Sequence, residues 1–111
     1  MEWGETYREL TNLLSRGETD EVLARTEWML VSKNWFSEYA SEHEKAEVWA
    51  LRGTAFCRRS EYDRARMSLE SALGYDPANE RAILGLKSLN NEVVKQELMR
   101  SREEKRYGPA I

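Results

Sequence analysis

With 111 residues, 41% of them hydrophobic and 33% charged, the chain has the size and balance of one domain built on one continuous core. Its net charge of −3, with both signs interspersed, offers no basic stripe for a phosphate backbone, so nucleic acid is not an expected partner. The single cysteine, Cys57, excludes an intrachain disulfide, no apolar run approaches the roughly 18 residues of a membrane span, and Met1–Glu5 lacks a leader pattern; a reducing cytoplasm is the expected location.

Periodicity and punctuation divide the chain into helices. The first is expected from about Gly4 to Ser15, with Tyr7, Leu10, Leu13 and Leu14 as its stripe and Gly17 as its stop. The second begins near Thr19, whose hydroxyl is expected to cap it while Asp20 and Glu21 suit its positive end. It carries Val22, Leu23, Met29, Leu30 and Val31, and is expected to continue through Trp35 and Phe36 towards Tyr39.

The polar stretch Ser41–Lys45 reads as a loop before a third helix from Ala46 to Arg58. Ser60–Asp63 makes the next turn, and a fourth helix runs to about Gly74, burying Ala65, Leu69, Ala72 and Leu73. Pro77 breaks the pattern, since proline suits the opening of a helix and not its interior. A long last helix follows from about Asn79 to Lys105, with Ile83, Leu86, Leu89, Val93, Val94, Leu98 and Met99 as apolar positions and Gly108-Pro109 as its end. Its final stretch, Arg100–Arg106, has no core face and reads as a solvated helix end, or else as a docking arm that orders on binding. No period-two strand pattern occurs, and the predicted class is all-α.

Residues around two of the turns repeat. Arg16-Gly17-Glu18-Thr19-Asp20-Glu21-Val22 aligns with Arg59-Ser60-Glu61-Tyr62-Asp63-Arg64-Ala65, displaced by 43 positions from Gly17 to Ser60. Further on, Glu27 meets Glu70, Trp28 meets Ser71, Met29 meets Ala72 and Leu30 meets Leu73. In the second copy Trp49, Gly53 and Phe56 are followed by Ala65, Leu69, Ala72 and Pro77. That order of bulky and small residues resembles the tetratricopeptide family over Ala46–Asn79. Small Gly53 and Ala65 allow two antiparallel helices to approach, while Trp49, Phe56 and Leu69 fill the space around them. Arg52 departs from the family, which usually has leucine there, and neighbouring Leu51 is expected to supply part of the volume.

The resemblance implies one tetratricopeptide-like domain of antiparallel helix pairs over 1–111. Its parts are a degenerate pair over about 3–36, an insert over about 37–45, the well-matched repeat 46–79, a capping helix over about 79–106 and a short tail 107–111. Family repeats are 34 residues long, and the lengthened second helix and insert account for the wider spacing here.

Chemistry-bearing constellations are sparse. His43, the sole histidine, lies among charged residues and reads as a solvated loop side chain; Glu42, Glu44 and Glu47 read as a solvated face. No paired Cys or His ligands suggest a metal, and no Gly-rich loop suggests a phosphate. Cys57 precedes Arg58-Arg59 but has no base near it in sequence, and reads as a core or groove residue. Neither an enzyme nor a cofactor is expected.

The family lines a concave groove with the first helix of each pair. The resemblance therefore implies a partner groove made by Tyr7, Thr11 and Leu14, by Glu47, Ala50, Thr54, Cys57 and Arg58, and by Arg81, Leu84, Ser88 and Asn91. This set lacks the basic constellation with which chaperone-tail binders of the family clamp a carboxylate, and suits an extended segment or an amphipathic helix. The implied function is an adaptor or co-chaperone-like module binding another protein. Two alternatives are a dedicated chaperone of type III-like secretion for a helical subunit, and a self-associating assembly protein. For Trp28, Trp35 and Phe36 two readings compete: packing against the long final helix, or an exposed aromatic patch serving a partner or a second copy.

Overall fold

A computed structural model describes residues 3–106, with side chains described as far as residue 100. Its elements among these residues are α1 (Trp3–Ser15), α2 (Thr19–Val31), α3 (Trp35–Tyr39), α4 (Glu42–Arg58), α5 (Tyr62–Tyr75) and α6 (Glu80–Arg106), with no strand. The expected end at Gly108-Pro109 and the tail 107–111 lie outside the described residues.

The repeat seen in sequence reappears in the backbone. Gly17 and Ser60 both take positive φ, 78° and 60°. After α1, Gly17 N–H donates to the Leu14 carbonyl at 3.0 Å and Glu18 N–H to Leu13 at 2.9 Å; after α4, Ser60 N–H donates to Cys57 at 3.0 Å and Glu61 N–H to Phe56 at 3.0 Å. Both turns thus close their helix with the same left-handed residue and the same pair of returning hydrogen bonds. Glycine adopts this conformation freely, whereas serine meets a steric cost. The next helices also start alike, from Glu18 and Glu61, neither of which makes a side-chain cap bond. The expected Thr19 cap is corrected here, because Thr19 is already the first helical residue.

Between the copies the chain departs from the expected course. The second helix ends at Val31 and does not run to Tyr39. Asn34 is the cause: its Nδ2 donates to the carbonyls of Trp28 at 2.9 Å and Ser32 at 2.7 Å, closing α2, while its Oδ1 accepts from Phe36 and Ser37 N–H, opening α3. One side chain therefore both stops and starts a helix. The Ser41–Lys45 stretch is likewise helix and not loop, because Ser41 accepts from Glu44 N–H and Glu44 returns a bond to Ser41 N–H. This reciprocal box satisfies two end groups and sets the start of α4 four residues earlier than expected. At the last junction Asn79, buried, accepts from Ala82 N–H at 2.9 Å and opens α6 just after Pro77.

The fourth helix is the centre of the molecule and packs against α1, α2, α5 and α6. It buries apolar residues on two faces. Val48, Leu51 and Ala55 join Leu10, Leu13, Leu14, Val22, Met29 and Phe36 in one core cluster, while Ala46, Ala50 and Phe56 join Ala65, Leu69, Ala72, Ala82 and Leu89 in another. Leu51 thus serves the first cluster and does not replace the volume expected beside Arg52. Arg52 fills that place itself: its guanidinium lies 5.2 Å from the Phe56 ring and donates to the Leu23 carbonyl at 2.8 Å and Thr26 Oγ1 at 3.1 Å, tying α4 to α2. Burial pulls its pKa down from the ordinary arginine value, and the hydrogen bonds satisfy the charge that burial would otherwise strand.

Small residues set the spacing in the second cluster. A Cβ placed on Gly53 would lie 2.6 Å from Leu69 Cγ and Cδ2 and 3.3 Å from the Ala65 carbonyl oxygen. On the other side of the same leucine, a Cβ on Gly85 would lie 3.1 Å from both Leu69 methyls. Leu69, fully buried, is therefore clasped between a glycine of α4 and a glycine of α6. Such close approach trades the helix-weakening cost of glycine for contact along the whole crossing.

Candidate functional site

The start of α4 lies beside the start of α6, and the end of α4 lies beside the middle of α6, so the two helices run in the same direction. Two polar contacts fix their common starting edge. Glu47 Oε1 accepts from Asn79 Nδ2 at 2.8 Å, and His43 Nδ1 lies 3.1 Å from Asp76 Oδ2. His43 accordingly stands on the first turn of α4 and not in a loop. That contact, together with the Ala78 N–H bond to Asp76, holds the Asp76 carboxyl below the usual carboxylate range.

A groove of about 550 Å³ opens between α4 and α6, with Tyr7 of α1 on its far bank. Glu47, Thr54 and Cys57 come from α4; Arg81, Leu84 and Ser88 come from α6; Leu69 and Gly85 lie beneath, and Glu80 stands at the mouth. A smaller recess sharing Cys57 and Ser88 extends it past Tyr62 and Leu89 to Glu92. The groove is charged where the helices begin, at Glu47, Glu80 and Arg81. Farther along it turns apolar and hydroxylic, with Leu84 62% exposed and Thr54 Oγ1 held by the Ala50 carbonyl at 3.0 Å. Cys57 is half-buried, and burial pushes its thiol pKa up, so it presents a neutral thiol at neutral pH.

Seven of the twelve residues expected in a groove line this one: Tyr7, Glu47, Thr54, Cys57, Arg81, Leu84 and Ser88. Five do not. Leu14 and Ala50 are corrected outright, being 3% and 0% exposed: Leu14 completes the Leu10–Leu13 stripe in the first cluster, and Ala50 faces the second. Arg58 is exposed and donates back to the Leu14 carbonyl, pinning the ends of α1 and α4 together. Thr11 spends its hydroxyl on the Arg8 carbonyl at 2.9 Å, and Asn91 is exposed farther along α6. Leu69, Glu80 and Gly85 were absent from the expected set. Gly85 had a readable signal, since glycine inside a helix weakens it and calls for a packing reason.

The aromatic residues take neither expected arrangement as a group. Among the described residues α6 packs on α4 and α5, and the rings lie elsewhere. Phe36 is fully buried, 5.6 Å from the ring of Trp3 and edge-on to Trp35, so it belongs to the core and to no exposed patch. Trp28 is 53% exposed and Trp35 half-buried. Together with Met29, Ala24, Thr6 and Glu9 they border a second, mostly apolar recess of about 330 Å³ between α1, α2 and α3. Arg25 stands at its edge, bound to Glu9 and Glu21 at 2.8 Å each.

Among the described residues no helix is long and apolar enough to cross a membrane, and no group of three or more His, Cys, Asp or Glu side chains is placed to hold a metal ion. No family model, curated protein or solved structure matches this chain.

Proposed function

We propose that this chain is a tetratricopeptide-like protein-binding module that holds a segment of a partner protein between α4 and α6. The observation that carries this reading is the convergence of side chains from α1, α4 and α6 on one open groove whose floor is apolar and whose charged end is confined to the start of the helices. A surface of hydroxyls, one exposed leucine and one neutral thiol grips an extended chain or an amphipathic helix by shape and burial more than by charge. Gly85 favours the same reading, because the missing side chain leaves the floor low beside Leu69. The role would be that of an adaptor or co-chaperone.

A photo-crosslinking amino acid at Ser88, compared with one at Glu70 on the exposed side of α5, tests this in cells that make the protein. The expected outcome is a discrete protein adduct at Ser88 that is absent at Glu70. No adduct at Ser88, or the same adducts at both positions, would contradict it.

A further inference from the structure

Two apolar surfaces lie outside the groove, at opposite ends of the molecule. The first is the end of α6. Cys57 and Tyr62 face Ser88, Leu89 and Glu92, which places the end of α4 beside the middle of α6. Val93 still packs on the second core cluster, and beyond it the helix projects past the body for about 20 Å at 1.5 Å per residue, in a molecule 66 Å long. On this projection Val94, Leu98 and Met99 are 53%, 58% and 54% exposed. A projecting helix end gains little from propensity alone, and packing of an apolar stripe is its usual source of stability.

The second surface is the recess bordered by Trp28 and Trp35. It lies near the start of α1, at Thr6 and Glu9, whereas the Arg58–Leu14 contact marks the end past which α6 projects. The chain therefore cannot cover its own recess with its own projection. Charge matches across the gap: Glu9 and Glu21 outnumber Arg25 beside the recess, and Lys95 and Arg100 outnumber Glu97 around Leu98.

We propose that the projecting end of α6 docks, through Val94, Leu98 and Met99, into the Trp28–Trp35 recess of a second copy of this chain. Two copies lying side by side and antiparallel bring each projection to the other's recess, closing a two-fold dimer with no surface left to propagate a fibre. The contact seats aliphatic side chains on tryptophan, the residue most enriched among interface anchors.

Sedimentation over a concentration series tests this with wild type, Leu98→Glu, Trp28→Glu and Leu84→Glu, all of them exposed positions whose helicity is checked by circular dichroism. Wild type and Leu84→Glu are expected to reach the dimer, and Leu98→Glu and Trp28→Glu to remain monomeric. An equimolar mixture of the last two, which restores one intact projection and one intact recess, is expected to give a one-to-one complex that neither forms alone. A monomeric wild type, a dimer indifferent to Leu98→Glu or Trp28→Glu, a mixture with no complex, or a dimer lost on Leu84→Glu would each overturn the proposal.

Discussion

Gly53 and Leu69 meet so closely that one methyl group added to the glycine would lie 2.6 Å from two carbons of the leucine. The contact joins α4 to α5, and through Gly85 the same leucine sets the position of α6, so the groove depends on it. Gly53→Ala is expected to cost about 1–3 kcal/mol by overpacking. Gly74, in α5 with open space around it, is the matched control, and Gly74→Ala is expected to gain about 0.5–1 kcal/mol from helix propensity. Urea midpoints of the two variants check both signs in one experiment.

Ser60 repeats the backbone of Gly17 without being glycine. Ser60→Gly removes the steric cost of the left-handed conformation and is expected to stabilise the chain by up to about 1 kcal/mol, less what glycine adds to the entropy of the unfolded state. A rise in the thermal midpoint confirms it; a fall would mean that the serine side chain supports the turn.

Asn34 holds the end of α2 and the start of α3 together. Asn34→Ala is expected to cost about 1 kcal/mol or somewhat more, since two junctions share one cap. Hydrogen exchange is expected to quicken first at residues 35–39 and at the last turn of α2, with α4–α6 unchanged.

The His43–Asp76 pair predicts a pH dependence whose sign follows from the lowered Asp76 pKa. A carboxyl more acidic in the folded state contributes stability that is fully present above its unfolded value near 3.8 and is lost as pH falls through the folded value. Replacing the main cause, as in His43→Ala, should lower stability above about pH 4, where the contribution is present, and leave it unchanged at lower pH, where Asp76 is protonated in both proteins, so that the acid limb flattens. Denaturant midpoints measured from neutral pH into the acid range read this out, and an unchanged acid limb would show that the exposed pair is too screened to matter.

The helix hairpin of α4 and α5 was readable because alternating bulky and small residues, Trp49, Gly53, Phe56, Ala65 and Leu69, fix a crossing by volume alone. The positions of the two turns were readable for a similar reason: Gly17 marks one, and the repeat carries the other. The region from Val31 to Lys45 was misread where polar side chains act on the backbone. Asn34 breaks a continuous apolar pattern, and Ser41 with Glu44 builds a helix start out of residues that look like loop. Leu14 and Ala50 failed as groove residues because carrying over family positions ignores which neighbours a helix must also satisfy: α1 needs its whole leucine stripe for α2 and α4, and α4 is buried on two faces. The packing of Phe36 against Trp3 joins residues far apart in sequence, and no periodicity encodes it.

Cys57, the single cysteine, lies in the groove and allows the arrangement of α4 against α6 to be measured without any other substitution. A nitroxide attached there is expected to broaden the amide signals of residues 84–92 most strongly after those of its own helix and of the turn into α5, and those of residues 28–39 least. Full intensity at 84–92, with broadening moved to α2 and α3, would show that α6 does not lie beside α4 and that the groove does not form.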